Sequence, residues 1–126
     1  MPRNKHYIGD PCYVLSDKNM EALIEAIGAG AKGLLIDDHK IYFAYTECGD
    51  GEYSLKDFHG TIAHLGVDSG CLALIPNDLL AAPVNETEDD RGTTNRHLGY
   101  VCRISGEFRE KDGFFAFGDG LYIDTR

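Results

Sequence analysis

One short motif in this sequence has the residue types and spacing of carboxylate acid–base chemistry. Val67-Asp68-Ser69-Gly70 follows the pattern hydrophobic-Asp-Ser/Thr-Gly of aspartic-protease active-site loops, and Ile123-Asp124-Thr125 is similar to a second copy. Two such carboxylates that share one proton act as a general acid and a general base. However, Arg126 follows where the pattern requires glycine, and Asp-Ser-Gly between apolar strands is typical of a hairpin turn. The sequence therefore favours a turn at Asp68, with a small carboxylate-dependent hydrolase as the alternative.

Metal and thiol chemistry receive less support from residue spacing. No segment carries the alternating Asp/Asn ladder closed by Glu that a calcium loop needs. The four cysteines are scattered without a Cys-x-x-Cys pair, and the spacing of His59 and His64 suits neither a helical nor a strand pair of ligands. We therefore expect no metal and no cofactor. A Cys–His nucleophile stays open, because catalytic partners need not be close in sequence, but nothing singles out one cysteine.

Tyrosine side chains are the leading candidates for binding. The chain has seven tyrosines, and they cluster at the ends of short apolar runs that resemble strands. Amphipathic aromatic rings contribute much of the binding energy at interfaces. The alternative is that each ring packs on the sheet and leaves its hydroxyl in water at the rim. The candidate binding residues, including two aspartates from Gly-Asp turns, are Tyr13, Tyr45, Tyr53, Asp50 and Asp119.

A five-residue phrase of Gly, Asp, Gly or Pro, any residue and Tyr occurs three times, at 9–13, 49–53 and 118–122. Asp-Gly between alternating apolar stretches is a strong hairpin signal, since the tight turn needs positive φ at its centre. In the first copy, Pro11 removes a backbone donor and fixes φ at a negative value. We therefore expect the second and third copies to be hairpin turns within one sheet. The first is expected to be a bend at the edge of that sheet.

The elements that hold these motifs are a helix and a series of short strands. The helix is predicted over residues 17–27, with Ser16 as its N-cap. Its apolar face follows helical spacing and consists of Met20, Leu23, Ile24 and Ile27. The run Cys71–Ile75 is apolar on both faces, as in a central strand covered on both sides, and the helix is one expected cover. The predicted class is α+β, with one amphipathic helix packed on a bent antiparallel sheet or small β-barrel.

Length and composition limit the classes of function. The 126 residues fit a single domain, 1–126, with a polar loop at about 85–97. Twelve basic and 21 acidic residues give a net charge of −9, which disfavours nucleic acid as a partner. No apolar run approaches the roughly 20 residues of a membrane span, so no membrane is expected either. The scattered cysteines favour a cytoplasmic location, and short sheets offer edges for homo-oligomers.

Several segments lie in a characteristic order along most of the chain. They are Ile8-Gly9-Asp10-Pro11-Cys12-Tyr13-Val14, Gly49-Asp50-Gly51-Glu52-Tyr53, Val67-Asp68-Ser69-Gly70, Ile75-Pro76, Phe117-Gly118-Asp119-Gly120 and Ile123-Asp124-Thr125. Together they resemble a family of small uncharacterised proteins found in bacteria and bacteriophages. The resemblance implies no known activity, so it assigns no catalytic residue. A bacteriophage association implies a binding role, such as modulation of a host protein.

The expected function is that of a non-enzymatic binding module. Its acidic surface or its tyrosine-rich rim would engage a protein partner, because the chain has a net charge of −9 and no assembled set of catalytic residues. Two alternatives stay open. One is a small hydrolase that uses Asp68, and the other is a small-molecule binder on the concave face of the sheet.

Overall fold

The computed structural model describes residues 3–81 and 99–126. The predicted polar loop at 85–97 therefore lies outside the described residues. The helix is α1 (Asp17–Gly28), and short 3₁₀ turns occur at Pro11–Tyr13 and Asn77–Leu79. The strands in the described ranges are β1 (Asn4–Gly9), β2 (Gly33–Ile36), β3 (His39–Tyr45), β4 (Gly51–Asp57), β5 (Gly60–Val67), β6 (Cys71–Pro76), β7 (Tyr100–Ile104), β8 (Phe108–Lys111), β9 (Phe114–Phe117) and β10 (Leu121–Asp124).

The strands form two antiparallel sheets. The first sheet has the order β2-β3-β6-β1-β7, and the second has the order β5-β4-β10-β9-β8. The predicted α+β class, with a helix packed on an antiparallel sheet, is confirmed. The strands divide between two sheets because some of the turns carry the chain from one sheet to the other.

Two hydrophobic cores separate three layers, which are α1, the first sheet and the second sheet. Leu23 and Ile27 of α1 pack against the first sheet through a core that includes Phe43. The other face of this sheet meets the second sheet in a core that includes Phe115. Every residue of Cys71–Ile75 is buried, and successive side chains of this run enter the two cores alternately. The prediction of a central strand covered on both faces is confirmed.

The helix begins as predicted, but its buried face is narrower. The Ser16 side chain accepts a hydrogen bond from the backbone N of Asn19 at 3.2 Å and so caps the helix. Leu23 and Ile27 are buried, whereas Ile24 is 56% exposed. Consecutive residues of a helix are rotated by about 100° around its axis, so Ile24 turns away from the sheet that Leu23 contacts. The prediction that Ile24 belongs to the buried face is wrong.

The three Gly-Asp phrases play three different roles. The third is a hairpin loop, as predicted: residues 118–120 join β9 to β10, and Gly118 has a φ of +61°. The second, at 49–53, carries the chain from β3 in the first sheet to β4 in the second, so the predicted hairpin within one sheet is wrong. The first follows β1, which lies between β6 and β7. The phrase turns the chain through the 3₁₀ turn Pro11–Tyr13, and the prediction of a sheet edge is wrong.

Residues 68–70 also connect the two sheets, because they join β5 of the second sheet to β6 of the first. Gly70 takes the left-handed φ of +77° that lets the chain reverse there. The predicted turn is present, but it does not close a hairpin. A turn reverses the chain, whereas burial decides which sheet receives the next strand. A strand that is apolar on both faces belongs in the sheet that is covered on both sides.

Candidate functional site

Asp10 organises one end of the molecule, where β1 ends and the chain turns. It is fully buried and caps the 3₁₀ turn Pro11–Tyr13. Its Oδ1 accepts hydrogen bonds from the backbone N of Cys12 at 2.8 Å and from the Ser69 hydroxyl at 2.6 Å. Its Oδ2 accepts hydrogen bonds from the backbone N of Asp68 at 2.6 Å and of Ser69 at 2.8 Å. Both carboxylate oxygens therefore hold the β5–β6 connection against the end of β1.

Four of the five predicted binding residues lie around this connection, together with Asp68. The Tyr13 hydroxyl donates a hydrogen bond to Asp68 Oδ2. Tyr45 is 57% exposed and pairs across β3 and β6 with Cys71, which follows the connection directly. We term this surface the acidic corner, and it consists of Tyr13, Tyr45, Asp50, Tyr53 and Asp68.

The segment that carries Asp50 and Tyr53 is fixed against the same connection. The backbone N of Thr46 donates a hydrogen bond to Gly70 O at 3.0 Å. Asp50 Oδ1 lies 3.8 Å from the position that a Cβ on Gly70 would occupy. The Tyr53 hydroxyl donates to Gly49 O at 2.6 Å, which closes the second Gly-Asp phrase on itself. The first two phrases therefore meet at the acidic corner.

Asp119 is the predicted binding residue that lies elsewhere. Its carboxylate accepts a hydrogen bond from Arg3 Nη2 at 2.5 Å. This hydrogen bond and the charge of Arg3 lower the pKa of Asp119. Arg3 directly precedes the start of β1, whereas the acidic corner lies beyond the end of that strand. The third phrase therefore does not join the other two.

The second carboxylate of the aspartic-protease pattern is engaged by another partner. Arg126 donates to Asp124 through Nε and Nη2, each at 2.9 Å. These hydrogen bonds lower the pKa of Asp124 to about 2. The side-chain hydrogen-bond partner of Asp124 is therefore a cation, whereas the aspartic-protease pair requires a second carboxylate. Asp68 itself bonds to Tyr13 and lies in the connection between the two sheets.

The two thiols beside Asp10 are held in their protonated form. Although Cys12 is an exposed residue, partial burial of its thiol, followed by the effect of the Asp10 carboxylate, raises its pKa to about 12. Burial raises the pKa of the Cys71 thiol to about 11. Because the thiolate is the nucleophile and the metal ligand, neither sulfur is prepared for those roles at neutral pH. Within residues 3–81 and 99–126, no group of three or more His, Cys, Asp or Glu side chains is placed to hold a metal ion.

A second region is a groove of about 720 Å³, which the sequence did not predict. It forms where β2 and β3 of the first sheet lie beside β8 and β9 of the second sheet. We term it the basic groove. Its cations are Lys32, Lys40, Arg109 and Lys111, and its aromatic rings are Tyr42, Phe108 and Phe114.

Strand geometry distributes the β8 side chains between two surfaces. Successive side chains of a strand point to opposite faces, so Arg109 and Lys111 share one face, and Phe108 and Glu110 share the other. The first pair is exposed, and the second pair is partly buried between the sheets. The groove therefore presents cations on one side of β8 and an aromatic surface with one carboxylate on the other.

Glu110 links the two sheets across the groove. Its carboxylate accepts hydrogen bonds from Lys32 Nζ at 2.5 Å and from the backbone N of Gly113 at 2.9 Å. Burial alone would favour the neutral acid. The hydrogen bonds from Lys32 and Gly113 and the Lys32 charge outweigh that effect and hold the pKa of Glu110 below its ordinary value. The ionised Glu110 therefore links β8 to Lys32, the residue that directly precedes β2.

Aromatic rings form the apolar part of the groove. Tyr42 of the first sheet and Phe108 of the second stack with their centroids 5.6 Å apart and an angle of 7° between the ring planes. Lys40 Nζ lies 5.5 Å from the centroid of Tyr42, within the range of a cation–π contact. On the other side of β8, Phe114 stacks with Tyr122 at 5.6 Å. These half-buried rings leave part of their surface toward the groove.

The cations of the basic groove are only partly neutralised. Arg109 and Lys111 have no acidic partner in the part of the chain that the structure describes. Glu110 is the one carboxylate among the groove's lining residues, and it already binds Lys32. The sequence feature that could have indicated the groove was the alternation of Arg109 and Lys111 beside aromatic residues. That signal was weak, because the other cations come from a distant segment of the chain.

Comparisons against protein-family models, curated proteins and solved structures found no match. The resemblance to small bacterial and bacteriophage proteins therefore stays a prediction. No helix in the described ranges combines the length and the apolar character that crossing a membrane requires.

Proposed function

We propose that this protein is a non-enzymatic binding module whose acidic corner engages a basic partner protein. The observation that carries the proposal is the buried Asp10 carboxylate, which accepts four hydrogen bonds and fixes the connection that presents Asp68 beside Tyr13. Through these hydrogen bonds, the buried carboxylate holds the surface connection 68–70 in one conformation. A binding surface benefits from such support, since ordering a loop during association would reduce affinity.

The charge of the acidic corner favours a cationic partner. The three segments that form it, 10–13, 45–53 and 68–71, contain five acidic residues and no lysine or arginine. Asp50 and Asp68 are both exposed. A concentrated negative potential attracts a patch of lysine and arginine, speeds association and rejects acidic competitors.

Two tyrosines add contact area to this charge. Tyr45 is 57% exposed at the end of β3, so its ring is accessible to a partner. Burial, and then the hydrogen bond to Asp68, raise the pKa of Tyr13, so its hydroxyl remains a donor. Tyrosine is among the residues that most often carry the binding energy of an interface.

The hydrolase alternative receives less support. Asp124 is paired with Arg126, and the thiols of Cys12 and Cys71 are protonated at neutral pH. Asp68 has Tyr13 as its side-chain partner, an arrangement that restrains the carboxylate without preparing a base.

The proposal is tested by titrating the protein with a peptide rich in lysine and arginine while amide NMR spectra are recorded. For the wild type we expect salt-sensitive binding, with shift changes confined to residues 10–13, 45–53 and 68–71. The double variant Asp50→Asn and Asp68→Asn should bind at least about tenfold more weakly, because it removes both exposed carboxylates of the corner. Thermal unfolding confirms that the variant is folded.

The matched control is the double variant Asp37→Asn and Asp38→Asn. These residues are also exposed, and their positive φ values of 49° and 67° suit asparagine. The control removes the same charge from the β2–β3 turn and should bind the peptide like the wild type. If both double variants weaken binding equally, only net charge matters, and the proposal is wrong.

A further inference from the structure

We propose that the basic groove binds a small phosphorylated ligand with an aromatic ring, a compound of the mononucleotide class. The groove shares no residue with the acidic corner, so this inference stands or falls independently of the proposed function. It depends on three features of the groove, which are two cations without an acidic partner in the described ranges, the half-buried aromatic rings of its lining, and its size.

The unpaired cations suit a phosphate. Arg109 and Lys111 are two positions apart on one face of β8, which places their Cα atoms about 7 Å apart. Neither has an acidic partner within residues 3–81 and 99–126. A guanidinium binds phosphate oxygens through two parallel hydrogen bonds, and an ammonium adds a compact positive charge. An anion between these side chains also relieves their mutual repulsion.

The ring surfaces point to a planar aromatic group beside the phosphate. Lys111 pairs with Phe114 across β8 and β9, and the Phe114 ring lines the groove while the Arg126 guanidinium lies 5.5 Å from its centroid. Tyr42 and Phe108 stack on the other side of β8 and are half-buried. Partly exposed aromatic rings gain energy from stacking or edge contacts with a flat ligand. A bare inorganic anion would use none of this surface.

The size and the field of the groove fit the same ligand class. Its volume of about 720 Å³ lies within the roughly 300–1,000 Å³ of small-molecule sites. Lys32 and Lys40 add positive charge from the first sheet, and Glu110 offsets one of these charges. The chain as a whole carries −9. Salt screens the effect of distant charges beyond a Debye length of about 8 Å at physiological ionic strength. The electrostatic potential inside the groove is therefore set mainly by the nearby cations.

Edge protection is the competing explanation for the same side chains. β8 is an edge strand of the second sheet, and charged residues on edge strands prevent pairing with other chains. Protection needs only the charges, so it predicts no preference for a ring-bearing anion. It also predicts self-association when Arg109 and Lys111 are neutralised.

The test is a titration of the full chain with adenosine monophosphate at low ionic strength, followed by calorimetry and by amide NMR. We expect saturable binding with shift changes at residues 32–42 and 108–116. Adenosine lacks the phosphate and ribose phosphate lacks the base, so each should bind at least about tenfold more weakly than the nucleotide.

Two double variants with the same change in net charge locate the site. Arg109→Gln with Lys111→Gln should weaken nucleotide binding at least about tenfold. Lys18→Gln with Arg103→Gln removes two exposed cations outside the groove and should leave the affinity unchanged. Unfolding curves of both proteins verify that each is folded.

Several results would overturn the proposal. One is the absence of nucleotide binding, and another is equal affinity for ribose phosphate and the nucleotide. Equal losses in the two double variants would also overturn it, as would an acidic peptide that occupies the groove where the nucleotide does not. If the wild type ignores the nucleotide and the Arg109→Gln, Lys111→Gln variant self-associates in sedimentation experiments, the charges protect the edge and the proposal is wrong.

Discussion

The acidic corner and the basic groove both join the two sheets through charged residues, yet their charges have opposite surroundings. Beside the corner, the buried Asp10 carboxylate accepts four hydrogen bonds from backbone and hydroxyl donors. In the groove, Arg109 and Lys111 have no acidic partner among the described residues. A charge whose hydrogen bonds are complete stabilises the fold. A charge without a partner beside a cavity is available to a ligand.

The largest effect on stability is expected at Asp10. The Asp10→Ala variant leaves the partly buried donors of Cys12, Asp68 and Ser69 without their acceptor, which should lower the free energy of unfolding by about 3–5 kcal/mol. Urea unfolding measures this loss. Asp10→Asn keeps part of the hydrogen bonding and should fall between the wild type and Asp10→Ala.

Asp119→Ala is the control for this prediction. Asp119 belongs to the same kind of Gly-Asp phrase, but its carboxylate is exposed and pairs with Arg3. Its unfolding midpoint should stay at the wild-type value, because exposed ion pairs contribute little to stability. If the Asp10 and Asp119 variants lose the same stability, the distinction between complete and incomplete hydrogen bonding fails.

Thiol labelling tests the environment of Cys12, which lies beside Asp10. Cys12 and Cys48 are both exposed, but Cys12 has a pKa raised to about 12 and so contains little thiolate. At a pH of about 8, iodoacetamide should modify Cys12 at least about tenfold more slowly than Cys48. Peptide mass spectrometry over a time course measures both rates. Faster labelling of Cys12 than of Cys48 would contradict a raised pKa of the Cys12 thiol.

Among the groove residues, Glu110 is like Asp10 in having a charge that is paired within the protein. Its replacement should lower the free energy of unfolding by less than the replacement of Asp10. Glu110→Gln should lower the free energy of unfolding by about 1 kcal/mol near neutral pH. The pKa of Glu110 is lower in the folded chain than its ordinary 4.5, so its contribution is present above that value. The contribution is lost as the pH falls through the folded pKa.

Melting temperatures of the wild type and Glu110→Gln therefore differ most near neutral pH and converge in acid. Lys32→Gln removes the other partner and should show a similar but smaller difference. A gap that widens toward low pH would have the wrong sign for an ionised, hydrogen-bonded Glu110.

The smallest effect on stability is expected for Arg109→Gln with Lys111→Gln. Both side chains are exposed without an acidic partner in the described ranges, so the free energy of unfolding should change by less than about 0.5 kcal/mol. At low salt the variant should gain slightly, because repulsion between the cations is removed. Chemical unfolding at two salt concentrations measures this. A loss above about 1 kcal/mol would make these residues structural and would end the contrast with Asp10.

The sequence predicted those parts of the fold that depend on neighbours along the chain. Ser16 and helical spacing predicted the start of α1, and the apolar run Cys71–Ile75 predicted a strand covered on both faces. The hairpin at 118–120 also follows from local glycine chemistry. Local spacing could not show that Ile24 would turn away from the sheet, because that depends on how the helix is docked.

The remaining features depend on contacts between distant parts of the chain. Two of the backbone donors that bind Asp10 are 58 and 59 positions away, and Lys32 and Glu110 are 78 positions apart. A Gly-Asp turn reverses the chain without specifying which sheet receives the next strand. The sequence named four residues of the acidic corner, which are Tyr13, Tyr45, Asp50 and Tyr53. They lie close together only because the chain passes from one sheet to the other after β3 and after β5.

The most direct measurement is a double titration of one isotopically labelled sample, followed by amide NMR. The lysine- and arginine-rich peptide is added first, and adenosine monophosphate is added to the same sample. We expect two separate sets of shifted residues: 10–13, 45–53 and 68–71 with the peptide, and 32–42 and 108–116 with the nucleotide. If both ligands shift one common set of residues, or if neither produces a localised set, two oppositely charged binding sites do not exist.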